Sequence, residues 1–354
     1  MRAYKKSLLT TKFLYVLVLL TVVAGFATVA SRTILNDSSQ QKLSKTIVVD
    51  KSGRYDFKTI QSAIDSIPEN NNEWIRIRVK SGVYGEKVEI PSDKPFIVLE
   101  GEGMQATIIA WGDHDRLDKT PTFSCATDDF VARHLSFYNT YNHPLDSAEN
   151  ENPRKQAVAA RIQGDRISFY DCGFYGLQDT LWDVSGLHYF KSCFIEGAVD
   201  FIFGSAQSIY ENCAISVIAE GLSVMKKTDD EEFVAAGFIT AQGRDSLESP
   251  SAFVFKGCQV FGTGKVYLGR AWRSHSTVLF YRSKLTDVVV PEGWNSWDYA
   301  GHEDKIMYAE SGCYGLGSNM SQRVDWMKTL SQPMIDKMTS LTFIDKEGWI
   351  REQP

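Results

Sequence analysis

Apolar and polar positions alternate in short runs through the middle of the chain, and the runs recur. The segments "FYDCGFYG" from Phe169, "YFKSCFIEG" from Tyr189, "IYENCAISV" from Ile209, "FVFKGCQVFG" from Phe253 and "LFYRSKLTD" from Leu279 share one pattern: an aromatic or β-branched run, a polar break, then a second apolar run. Each run is too short for an amphipathic helix and has the period-two character of a strand, with Gly, Asn or Asp at the breaks. Cys172, Cys193 and Cys213 mark a period of 21 and then 20 residues; Cys258 follows after 45, which leaves room for one further unit around "GFITAQGR", Gly237–Arg244. Short strands at this period predict an all-β single-stranded solenoid, a parallel β-helix. Its rungs stack about 4.8 Å apart and set equivalent residues into ladders.

The cysteines then form an interior ladder, because buried Cys packs as a small hydrophobe; disulfides between neighbouring rungs stay open as an alternative. A solenoid must also close its ends. On the N-terminal side "FKTIQSAIDSIPE" sets Ile60, Ala63, Ile64 and Ile67 at helical spacing and Pro68 ends the pattern, which predicts a short amphipathic cap. Near the C-terminus "SQRVDWMKTLSQPMIDKMTSL", Ser321–Leu341, is helix-prone, with Pro333 interrupting it.

The same ladder logic brings two acids together. Asp179 lies seven residues after Cys172 and Asp200 seven after Cys193, so stacked cysteines imply stacked aspartates. Two carboxylates roughly 5 Å apart resist joint ionisation, which favours one proton-holding acid and one anion. That division suits general acid/base work by one and nucleophilic attack by the other. The plainer alternative is that each Asp caps a turn. Gln178, and Gln156 in "QAVAAR", are candidate donors to a developing oxyanion. In "YLGRAW", Arg270 can hold a carboxylate as the anion and Trp272 offers a flat face to a sugar ring.

Composition narrows the function. The 354 residues carry a net charge of −6 and no basic stripe, which argues against nucleic acid as a partner. There is no CxxC pair, no His/Cys metal spacing, no GxSxG, no P-loop and no GxGxxG opening a helix, so a metal site is not expected. Residues 1–30, with Arg2, Lys5, Lys6 and Lys12 ahead of "FLYVLVLLTVVAGFATVA", read as a secretory signal peptide or an uncleaved signal anchor. Residues 31–45 are a short linker, and 46–354 are expected to form the catalytic domain. Sequons at Asn36 and Asn319 are candidate glycan sites in a secreted chain.

The motifs "TIQSAIDSIP", "GVYGEKVEI", "PTFSCATDDFVARHLSFYNT", "QAVAAR", "GLQDTLWD", "DFIFG", "ITAQGR", "YLGRAW", "RVDW" and "FIDKEGWI" run in this order from about residue 46 to 350. In them the chain resembles the plant-type pectin methylesterases (pectinesterases), which are right-handed parallel β-helices. The resemblance implies hydrolysis of methyl esters of homogalacturonan, outside the cell, at the cell wall, giving methanol and a more anionic pectin. It assigns Asp200 as nucleophile, Asp179 as acid and then base, Gln156 and Gln178 as oxyanion donors, and Arg270 as the group orienting Asp200. Gln156, Arg270, Trp272 and Thr122 would contact substrate. It implies no cofactor, a monomer, and a proteinaceous inhibitor as a candidate partner.

Two departures stand out. Ala271 replaces a proline common in relatives, and no long inhibitory pro-region precedes the first motif. The polar stretch Tyr141–Gln156 is longer than the family pattern and is expected on the rim of the cleft. Two other readings remain open on the residues alone: a polysaccharide lyase or hydrolase, since paired acids also cleave glycosidic bonds, and a wall-binding protein that kept the scaffold without turnover.

Overall fold

The computed structural model describes residues 43–141, 155–221, 224–228, 231–234 and 236–354. The leader, most of the linker with Asn36, and the greater part of the polar stretch after Tyr141 lie outside the described residues.

Three parallel sheets wrap the chain, of ten, eight and eight strands. One rung takes a strand from each: Ile167–Tyr170, Gly173–Tyr175 and Leu181–Asp183 form one, and Leu187–Lys191, Phe194–Gly197 and Val199–Gly204 the next. Every strand pair between rungs is parallel, as predicted.

The interior is built of ladders. Phe169, Phe190, Tyr210, Phe255 and Phe280 are in register across five rungs. Their rings stack with centroids 5.1, 4.6, 4.6 and 4.5 Å apart, the spacing that parallel strand pairing imposes. Beside them runs the sulfur ladder. The thiols of Cys193, Cys213, Cys258 and Cys313 donate to the carbonyls of Phe169, Phe190, Tyr210 and Phe280 at 3.2–3.5 Å, each one rung back. Ser283 takes the thiol's place between the last two, its hydroxyl donating to Phe255 O at 3.2 Å. All six cysteines are free, so the packing reading holds and rung-to-rung disulfides do not form.

The corner before this ladder is left-handed in every rung: Asp171, Ser192, Asn212, Gly257, Arg282 and Gly312 have φ between 48° and 65°. Short polar residues and glycine accept that conformation at least cost, which is why the breaks in the repeat carry them.

The 45-residue gap is resolved differently from the expectation. Glu211 pairs directly with Lys256, so Cys213 and Cys258 belong to adjacent rungs. Gly237–Gln242 is the third-sheet strand of the first of these two rungs, not a unit of its own. The surplus length is an antiparallel hairpin, Val224–Thr228 with Glu231–Val234. An insertion within a rung preserves every ladder, whereas the sequence spacing alone reads as an additional turn.

Both ends are closed. The helix Ile60–Asp65 buries Ile60, Ala63 and Ile64, with Ile67 just beyond, against the first rungs. Its first N–H groups, on Ile60 and Gln61, donate to the Glu86 carboxylate at 3.0 Å, an acid at the positive end of the helix. At the other end the helix is shorter than the pattern predicts, Gln332–Thr339, and Pro333 lies in its first turn instead of breaking it. Proline lacks only an N–H that has no partner there anyway. The residues ahead of it are drawn into capping the last rung. Arg323 pairs with Glu310 (Nε to Oε1 2.7 Å, both about 3% exposed) and donates to the carbonyls of Val290, Pro291 and Gly317. Met338, Ile344 and Trp349 then cover the outer face of the first sheet.

Candidate active site

Among the described residues no sheet or helix covers the outer face of the third sheet, and its ladders define the site. Ser124, Arg161, Trp182, Phe203, Ala241, Arg270 and Asn295 occupy the same position on seven successive rungs. Trp182 and Phe203 stack at 5.4 Å and 13°, and Trp272 leans on Phe203 at 6.0 Å. With Val158, Ala241, Leu117 and Trp297 they form a separate apolar cluster outside the interior.

The two aspartates sit at the edge of this platform, where the second sheet turns into the third. Gln178 bridges Val199 in parallel register, and the Asp179 N–H donates to Val199 O at 3.0 Å, so Asp179 and Asp200 stand on adjacent rungs at equivalent places. Both are left-handed, φ 62° and 49°. Asp tolerates this better than most residues but still at a cost on the order of 1 kcal/mol. Close approach of the rungs is kept by Gly204, at φ 129°, where a Cβ would lie 1.9 Å from Asp183 O.

Their electrostatics differ. Asp179 is 3% exposed. Burial, and next the charge of Asp200, push its carboxyl well above the usual range, while a hydrogen bond from the Gln156 amide and the charge of Arg270 pull weakly the other way. Asp200 is 6% exposed and is also raised by burial, but Arg270 opposes this directly. Arg270 grips Asp200 with two parallel bonds, Nε to Oδ1 at 2.7 Å and Nη2 to Oδ2. The guanidinium is itself held between two rings, its carbon 4.3 Å from the Phe238 centroid and 3.4 Å from that of Trp297. Of the two, Asp200 is therefore the one biased toward the anion and Asp179 the one biased toward keeping a proton.

Gln156 reaches Asp179 from the preceding rung, and Gln178 is half-buried beside it. Thr122, expected along the sugar subsites, is instead wholly buried. Its hydroxyl donates to Tyr138 O at 2.9 Å, which ties two strands together and keeps the side chain off the open face. Phe238 and Trp297 escaped the sequence reading. Trp297 follows the last third-sheet strand in a turn closed by its N–H on Asn295 Oδ1, 2.8 Å, where no periodicity reaches. Phe238 was legible in principle, as the outward position of "GFITAQ" beside Val199.

Paired carboxyls of unequal acidity next to an apolar aromatic shelf are the equipment of a class of enzymes that combine acid/base and nucleophilic work at one carbon. A family model described as pectinesterase matches residues 46–347. Probable pectinesterase 29 of Arabidopsis thaliana is 49% identical over 308 residues, covering 87% of this chain and 89% of that protein. Probable pectinesterase 55 of the same plant is also 49% identical, over 87% and 91%. Among solved structures, the pectin methylesterase from carrot superposes with a TM-score of 0.77 at 29% identity, covering 89% of this chain and 97% of that one. The chain belongs to the pectinesterase family. It is accordingly a carboxylic ester hydrolase on a parallel β-helix.

Proposed function

We propose that the protein hydrolyses methyl esters of homogalacturonan with Asp200 as nucleophile and Asp179 as acid and base. Asp200 Oδ adds to the ester carbonyl carbon, and the Gln156 and Gln178 amides donate to the oxygen as it gains charge. The tetrahedral intermediate collapses, the C–O bond to the methoxy group breaks, and Asp179 gives its proton to the leaving methanol. Asp179, now a carboxylate, takes a proton from water. The resulting hydroxide attacks the acyl–Asp200 anhydride, releasing free galacturonate and regenerating Asp200. Arg270 keeps Asp200 ionised and aimed, while Trp182, Phe203 and Trp272 offer apolar faces to the sugar rings.

The observation that carries this reading is the asymmetry of the pair: adjacent rungs, one carboxyl pushed up by burial and its neighbour's charge, the other clamped by Arg270. The basic, apolar leader supports secretion to the wall, where this polymer lies.

The test is methanol release from methyl-esterified pectin by the purified protein. Asp200→Asn and Asp179→Asn should each lower turnover by roughly a thousandfold or more while the circular dichroism spectrum stays that of the parent. Methanol should appear without any shortening of the polymer. Undiminished turnover in Asp200→Asn, or chain cleavage in place of methanol, would refute the assignment.

A further inference from the structure

The row of outward residues on the third sheet holds two arginines, and they are treated differently. Arg270 is neutralised by Asp200. Arg161, four rungs earlier in the row, makes no ion pair with a described residue. Its guanidinium lies 5.2 Å from the Trp182 ring centroid, with Nη1 at 3.5 Å from Ser124 Oγ and Nη2 donating to Gln163 Oε1, both neutral acceptors. Its Nε is buried with no acceptor among the described residues. Glu89 and Asp118 reach it only through space, and burial lowers its affinity for its own proton. A half-buried cation without a counter-ion among the described residues is a costly arrangement for a merely structural residue.

Its position gives that charge a use. Arg161 is one rung from Trp182 on the strand pair that leads to Asp179, so the cation ends an aromatic shelf whose other end carries the nucleophile's clamp. A pectin chain lying on the shelf presents a carboxyl group at each sugar, methylated or free. The planar fork of Arg suits a free carboxylate and gains little from a neutral ester.

Resting on the esterase reading above, we propose that Arg161 is a specificity-determining residue that binds a free galacturonate carboxylate one or two sugars from the ester being cleaved. The charge of Arg161 then adds affinity for a chain that carries a free carboxylate at that sugar.

Two oligogalacturonides of equal length, one fully methyl-esterified and one about half-esterified, separate this from a structural role. The parent protein should show a higher kcat/KM on the half-esterified substrate, an advantage that shrinks as salt is added. Arg161→Gln should lose roughly tenfold on the half-esterified substrate, through KM, and distinctly less on the fully esterified one. Arg161→Lys should recover part of the loss. Equal losses on both substrates would overturn the proposal. Calorimetric titration with fully de-esterified oligogalacturonide needs no turnover: weaker binding by Arg161→Gln than by the parent supports the assignment, and equal affinity refutes it. A protein that releases no methanol yet shows that difference would sink the esterase reading and leave the carboxylate site standing.

Discussion

At the residue scale the active pair sets the pH dependence. On the proposed mechanism turnover needs Asp200 ionised and Asp179 protonated, so the rate should rise with pH as the pair loses its first proton and fall as it loses the second. Removing Arg270 removes the group that favours the Asp200 anion. Arg270→Gln should therefore move the acidic limb of the kcat/KM profile to higher pH, along with roughly a hundredfold loss of rate. Gln156→Leu works on the other limb. The lost hydrogen bond had favoured the Asp179 anion, so that carboxyl should hold its proton longer and the alkaline limb should shift upward. A profile in which both substitutions moved the same limb would contradict the division of roles. The pairing itself was legible, because Asp179 and Asp200 follow their cysteines by the same count. The division came only through the family resemblance and not from the spacing, since it depends on Arg270 arriving from a strand seventy residues away and on Phe238 and Trp297 closing around it.

At the element scale the repeat told most of the fold. Cys172, Cys193 and Cys213 announced strands in register, and the stacked rings from Phe169 to Tyr210 follow from the same spacing. What misled was length without period: the hairpin inside one rung imitates an extra unit, and the helix propensity of residues before Pro333 yields to the capping bonds of Arg323. The ladder makes two expectations measurable. Phe255→Ala removes the middle of a continuous ring stack and should cost about 3–5 kcal/mol in denaturant unfolding, if the protein still folds. Reductant should leave the melting temperature unchanged, and six thiols should titrate in denaturant, because none is paired in the folded protein. A fall in Tm on reduction would mean that at least one pair had closed.

At the scale of the whole molecule, one buried ion pair binds three rungs behind the active site and ties their stability to pH. His188 and Asp183 are both fully buried. His188 Nδ1 meets Asp183 Oδ1 at 2.5 Å and Nε2 meets Gly164 O, of the preceding rung, at 2.7 Å. Ser208 and Tyr210, of the following rung, donate to Asp183 Oδ2 at 2.5 and 2.7 Å. Against an ionised Asp183 and a carbonyl, both imidazole nitrogens face acceptors, the arrangement that suits the imidazolium. Burial works against that charge; Asp183, the Gly164 carbonyl and, more distantly, Asp165 outweigh it and raise the pKa above the ordinary 6.5. The folded state thus binds the proton more tightly than the unfolded chain. The pair's contribution is complete below about pH 6.5 and fades as pH rises through the higher folded value. Unfolding free energy measured in denaturant should accordingly decline on the alkaline side of neutrality. His188→Gln should lose about 3–5 kcal/mol at pH 6, since Asp183 is left buried without its cation. The double variant Asp183→Asn/His188→Gln should recover part of that loss and flatten the alkaline decline. A double variant whose stability still fell with pH as steeply as the parent's would place the sensitivity elsewhere in the molecule.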